Sequence, residues 1–111
     1  MSNRINRINE ETKKEISQII RELKDPRVKK GLVSVVATDV SKDLSKCVVF
    51  VSVLGDETVQ NDAIAGLNSA SGFVRRELGS RLKLRISPEI TFNLDHSIEY
   101  GAHINEILKG L

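Results

Sequence analysis

Arg75, Arg76, Arg81, Lys83 and Arg85 crowd behind a run of small residues that interrupts an otherwise helical pattern at Asn68-Ser69 and again at Gly72. Each of these breakers forms helix less well than alanine, and glycine costs about 1 kcal/mol inside a helix. Two helices meeting at a kink are expected, with free backbone N–H groups where the second begins. Bare amides at a helix start, with Arg75 and Arg76 within one turn, form an anion site, and phosphate is its natural ligand. Ser69 and Ser71 carry hydroxyls suited either to capping the break or to donating to that phosphate. Lys83 and Arg85 alternate with Leu82, Leu84 and Ile86, so the two cations are expected to point away from the core together. The chemistry indicated is recognition of a phosphate-rich polymer.

Other chemistries find little support. His96 and His103 are seven residues apart with Tyr100 between them, whereas helical zinc pairs use a separation of about four and need a third ligand. No metal is expected. Asp95-His96-Ser97 is adjacency in sequence without a nucleophile motif, and the chain has neither a phosphate-binding Gly-Lys-Ser/Thr loop nor a dinucleotide fingerprint. No catalysis and no cofactor are expected. Cys47 sits in the apolar alternation Val49, Val51, Val53 and reads as a core thiol; one cysteine forms no internal disulfide.

The net charge of +2 conceals a polarised chain. Residues 1–31 and 72–85 each carry +4, whereas 32–71 and 86–111 each carry −3. Two basic blocks meeting on one face would steer toward a polyanion. Within the first block, Arg4, Arg7, Lys14 and Arg21 are the candidate contacts. No apolar run approaches the roughly 20 residues that span a bilayer, and the N-terminal residues lack a signal peptide's apolar middle. A cytoplasmic protein with no membrane association is expected. The 111 residues fit a single domain, 1–111, able to bury one core without staples.

These side chains need a scaffold. Ile5, Ile8, Thr12, Ile16, Ile19, Ile20 and Leu23 recur at helical spacing and stop at Asp25-Pro26. Two β-branched runs, Leu32 to Val40 and Lys46 to Leu54, are joined by a linker short enough for an antiparallel hairpin. Asp56 can cap a helix with apolar positions Val59, Ala63, Ile64, Leu67 and Ala70. After the kink, Phe73, Val74, Leu78 and Leu82 continue the stripe. Ile90, Phe92 and Leu94 alternate in a last strand beyond Pro88, and Ile98, Ile104, Ile107, Leu108 and Leu111 suit a C-terminal helix. The order helix, strand, strand, helix, kinked helix, strand, helix gives an α+β sandwich, a small three-stranded sheet with helices on one face.

Gly66-Leu67-Asn68-Ser69-Ala70-Ser71-Gly72-Phe73-Val74-Arg75, followed by Leu84-Arg85-Ile86-Ser87-Pro88-Glu89-Ile90-Thr91-Phe92, closely resembles ribosome-binding factor A of bacteria. Lys24-Asp25-Pro26-Arg27 and Asp95-His96-Ser97-Ile98 agree, and the resemblance covers nearly the whole chain. It implies a type II KH-like fold in which a helix kink of Ala-x-Gly form, here Ala70, Ser71 and Gly72, replaces the Gly-x-x-Gly loop. It implies a monomeric, non-catalytic factor of ribosome biogenesis. Such a factor binds the free small (30S) subunit, assists late processing of 16S ribosomal RNA and matters most in the cold. Ribosomal proteins or an assembly GTPase are its further candidate partners. Two glycines let an ordinary KH loop close on about four nucleotides. With Gly72 alone, and few aromatics for stacking, recognition of phosphate and shape is expected over sequence readout. The competing reading is a protein-interaction module that uses the amphipathic first and last helices.

Overall fold

The computed structural model describes residues 3–95. The expected C-terminal helix, with His96, Tyr100 and His103, lies outside the described residues. Chain order is α1 (Asn3–Glu22), α2 (Pro26–Lys30), β1 (Val33–Val40), β2 (Lys46–Val53), α3 (Glu57–Ser69), α4 (Ser71–Arg81) and β3 (Glu89–Leu94). The short α2 departs from the sequence expectation. Asp25-Pro26 does end α1, but the same pair opens a new helix. Asp25 accepts from the Arg27 N–H at 2.9 Å as N-cap, and proline suits the first helical position because its missing N–H is not needed there.

The sheet runs β1-β2-β3, with β1 antiparallel to β2 and β3 parallel to β2. Cys47, Val49 and Val51 of the central strand pair with Val40, Thr38 and Val35 on one side. On the other side they pair with Ile90, Phe92 and Leu94. One sheet face is therefore apolar and buried, closed by Ile16, Ile19 and Ile20 of α1, Ala63 and Leu67 of α3, and Val74 and Leu78 of α4. An irregularity between Val35 and Ala37 shifts the β1 register by one residue. Without it the alternation would place Ala37, not Thr38, toward the helices. Cys47 is buried as expected, and desolvation pushes its thiol up to about 11, so it is inert at neutral pH.

Both outer strands have an asparagine from a helix at their open edge. Asn9 of α1 accepts the Val40 N–H on Oδ1 at 3.0 Å, while its own carbonyl takes the Thr38 hydroxyl at 2.7 Å. Asn68 of α3 accepts the Phe92 N–H at 3.0 Å and returns its Nδ2–H to the Phe92 carbonyl at 3.3 Å. Its carboxamide thus imitates one residue of a neighbouring strand. Exposed strand edges invite pairing with other chains, and these two side chains occupy part of each.

The hairpin turn is organised by one carboxylate. Asp43 Oδ1 accepts from the Ser45 hydroxyl at 2.7 Å, the Ser41 hydroxyl at 2.8 Å and the Ser45 N–H at 3.1 Å. These donors hold its carboxyl down at about 2. A folded pKa below the unfolded one contributes stability that is complete above the unfolded value and is lost as pH falls through the folded one. The melting-temperature advantage of wild type over Asp43→Asn is therefore expected to stay constant down to about pH 4. It should then shrink toward about pH 2 in thermal melts across that range. An advantage independent of pH would contradict this account.

Candidate nucleic-acid interface

The interface begins with the helix that delivers it. Asp56 caps α3 by accepting the Val59 N–H at 2.9 Å, and Gly66 meets α2 so closely that a Cβ there would lie 3.0 Å from Val28 Cγ2. The break falls at Ala70 (φ −92°, ψ 4°), the first residue of the expected Ala70-Ser71-Gly72 kink. Asn68 stands just before it. Its carboxamide is fastened to Phe92, so α3 must end where β3 requires, and the Ala70 N–H bridges the Gly66 and Leu67 carbonyls at 3.1 and 3.0 Å. Ala70 has no side chain able to cap α4, whose start carries no side-chain cap. Gly72 lies in the first turn of α4, exposed; a Cβ added there would meet only Arg76 Nη1, 3.8 Å away. Its contribution is an open approach to the helix start rather than a special dihedral. Phe73, expected within the apolar stripe, is 41% exposed beside it.

The cations of this block divide by their partners. Arg76, Lys83 and Arg85 are exposed, and among the described residues no carboxylate pairs with them. Arg75 is also exposed, but its Nε–H donates to the Ser87 carbonyl at 3.1 Å. Arg81 differs again: Nη2 bonds Glu22 of α1 and, at 3.2 Å, Glu77 one turn back, which raises its pKa further. That charge is balanced inside the fold, joining the ends of α1 and α4. Ile86, expected to alternate inward, is 71% exposed. The chain leaves α4 through a tight turn here and is not extended, so strand alternation does not apply.

On α1, Arg7, Lys14 and Arg21 recur every seventh residue, all exposed, and form one stripe. Of Arg4 only the backbone, in the first turn of α1, is described. Exposed Lys29 and Lys30 on α2 enlarge the basic surface; their signal was the Arg27–Lys30 charge run itself. The opposite character appears in a depression of about 690 Å³, which Asp56 and Glu57 line with no Lys or Arg. The described residues also contain no His/Cys/Asp/Glu group able to hold a metal ion and no helix long and apolar enough to cross a membrane.

The family profile of ribosome-binding factor A matches residues 4–108. The chain belongs to the ribosome-binding factor A family. Ribosome-binding factor A of Caldanaerobacter subterraneus subsp. tengcongensis is 52% identical over 112 residues, covering 100% of this chain and 91% of that one. The solution structure of a Thermotoga maritima protein described as a putative ribosome-binding factor A aligns with a TM-score of 0.75. It is 32% identical and covers 84% of this chain and 88% of that one. Coordinates of the Thermus thermophilus factor, fitted into a cryo-EM map of a 30S–RbfA complex, align at 0.66 with 28% identity. They cover 78% of this chain and 90% of that one. The α+β architecture is thus the KH-like fold of this family, with helix, break and helix where an ordinary KH domain has its loop.

Lys83 carries a further mark of this surface. It follows the last turn of α4 with φ +53°, a left-handed conformation. Its N–H bonds the Ser80 carbonyl at 3.3 Å and the next N–H, of Leu84, bonds the Gly79 carbonyl at 2.9 Å. This is a Schellman-type helix end, where glycine is the favoured residue at that position. Lysine is held there at a cost of roughly 1 kcal/mol. Lys83→Gly is accordingly expected to raise stability by about 1 kcal/mol, read as a higher thermal midpoint, while removing one exposed cation. A lowered midpoint would show that the lysine side chain stabilises the turn.

Proposed function

We propose that this chain is an assembly factor of the small ribosomal subunit. It docks the α4 face on ribosomal RNA of the free 30S particle and keeps immature 16S RNA in position during late processing, with most effect at low temperature. The observation that carries this reading is membership of the ribosome-binding factor A family, combined with exposed Arg76 on α4 and exposed Lys83 and Arg85 on the segment that follows it. Arg75 and Arg81 brace that face, and the α1 stripe of Arg7, Lys14 and Arg21, with Arg4, supplies a second set of phosphate contacts. The factor acts by occupancy, as a cytoplasmic monomer without cofactor or catalysis. Ribosomal proteins or an assembly GTPase would meet it on the particle.

The alternative, a protein-interaction module that uses its first and last helices, loses support at the first. Ile16, Ile19, Ile20 and Leu23 of α1 are buried within the chain's own fold, so that stripe is not available to a partner.

Phosphate neutralisation releases counterions, so affinity should fall with salt at a logarithmic slope near −0.7 to −0.9 per phosphate. Co-sedimentation across a salt series is expected to show salt-sensitive binding to small subunits and none to large ones, with stronger retention on immature particles. Reversing Arg76 and Lys83 to Glu should weaken binding at least about tenfold, since two attractive contacts become repulsive, without lowering the thermal midpoint. A flat salt response, or wild-type binding by the double variant, would rule out this interface.

A further inference from the structure

We propose that Ser87 is the positioning residue of this basic face. With Gly79 it latches the segment 82–88 onto α4, the helix that carries Arg76, and so holds Arg85 in a fixed place between Lys83 at the helix end and the start of β3. The inference rests on the RNA-binding reading above and names the device that preorganises the site.

The latch is reciprocal. The Ser87 hydroxyl donates to the Arg75 carbonyl at 2.6 Å, and the Arg75 Nε–H donates to the Ser87 carbonyl at 3.1 Å. One turn further along α4, Gly79 lets the segment approach: a Cβ at that position would stand 3.1 Å from Ser87 Cβ and 3.2 Å from Ser87 Oγ. Glycine weakens a helix relative to alanine, and Gly79 has no positive φ to require it. Close contact with Ser87 accounts for its presence.

The rest of the segment shows why a latch is needed. Its start is fixed by the helix-end bonds of Lys83 and Leu84 to Ser80 and Gly79, and its end by buried Pro88 at the mouth of β3. Between them Arg85 is exposed and Ile86 is 71% exposed, so apolar packing orders the middle only weakly. Ser87 supplies that order by hydrogen bonds, and proline at 88 biases it toward the extended conformation. Cations on a preordered segment bind phosphate without first losing the freedom of a loose loop.

The test separates positioning from contact. For Ser87→Ala, affinity for purified small subunits is expected to fall about fivefold to tenfold, the cost of ordering a loose segment. The salt slope should stay at the wild-type value, because the same phosphates are neutralised. Ser87→Thr, which keeps the hydroxyl, should restore binding. Gly79→Ala should weaken binding although alanine is the better helix former, because the added methyl crowds Ser87. Unchanged affinity in Ser87→Ala overturns the proposal, as does a loss accompanied by a lowered salt slope or one that threonine does not restore. Arg76→Glu serves as the control for the underlying reading. If it abolishes binding while Ser87→Ala does not, only the latch fails; if it binds like wild type, the RNA interface and the latch fail together.

Discussion

Parallel pairing of β3 with β2 is the constraint on which this fold turns. Antiparallel β1 and β2 need only the Ser41–Ser45 turn between them, but a parallel neighbour obliges the chain to travel back along the sheet before entering β3. Residues 54–88 make that journey, and α3 and α4 are its two legs. A single straight helix would have to cover the sheet and deliver the chain to the start of β3 at once. The break at Ala70 separates these two roles. Helix α3 lies along β3 with Asn68 fastened to Phe92, and α4 swings to bury Val74 and Leu78. The uncapped start of α4 is therefore a consequence of topology. The basic face is carried by α4 and the segment after it, both of which the crossover requires in any case.

Electrostatics sorts the cations of α2, α4 and the segment that follows α4. Arg27 and Arg81 both have carboxylate partners, Asp25 for the first and Glu22 and Glu77 for the second, and both guanidinium pKa values are raised by them. Such pairs join α2 to its own cap and α1 to α4, but they add little outward field. Arg76, Lys83 and Arg85 have no such partner among the described residues, so their field reaches solvent. Acidic Asp56 and Glu57 stand at the far end of α3. A protein with a net charge of only +2 can thus present one strongly positive face.

Much of this architecture is legible in sequence because it depends on local periodicity. The α1 stripe, the β-branched hairpin strands, the Asp56 cap and the alternation of Ile90 and Phe92 all follow from rules spanning a few residues. The failures share one origin, contacts between residues distant in sequence or signals with two meanings. Asp25-Pro26 reads as a stop, yet a residue that ends one helix is also the best start for another. The Ala70-Ser71-Gly72 kink is legible to within a residue, but the Asn68 contact with Phe92, across 24 residues, is not. Charge counting groups Arg81 with the other cations of residues 72–85, and no local rule reveals Glu22 as its partner. Ile86 faces out because Lys83 turns the chain in a left-handed conformation that lysine seldom adopts.

The same contacts bear on what kind of RNA recognition the proposed interface permits. Reading a base needs a donor and an acceptor at its edge, or an aromatic face to stack on. At Phe92 both backbone groups on the open edge of β3 are taken by the Asn68 carboxamide. Phe92 itself is buried and Phe50 half-buried, leaving Phe73 as the exposed phenylalanine. What the surface offers in quantity is cations at fixed spacing: Arg76 on a helix, Lys83 at a closed helix end and Arg85 on a latched segment. Fixed charges on a rigid frame match a fixed arrangement of phosphates, which a folded RNA has and a flexible strand does not. Selectivity for ribosomal RNA would then come from its tertiary shape, and a factor of this design would distinguish particles by how far their RNA has folded.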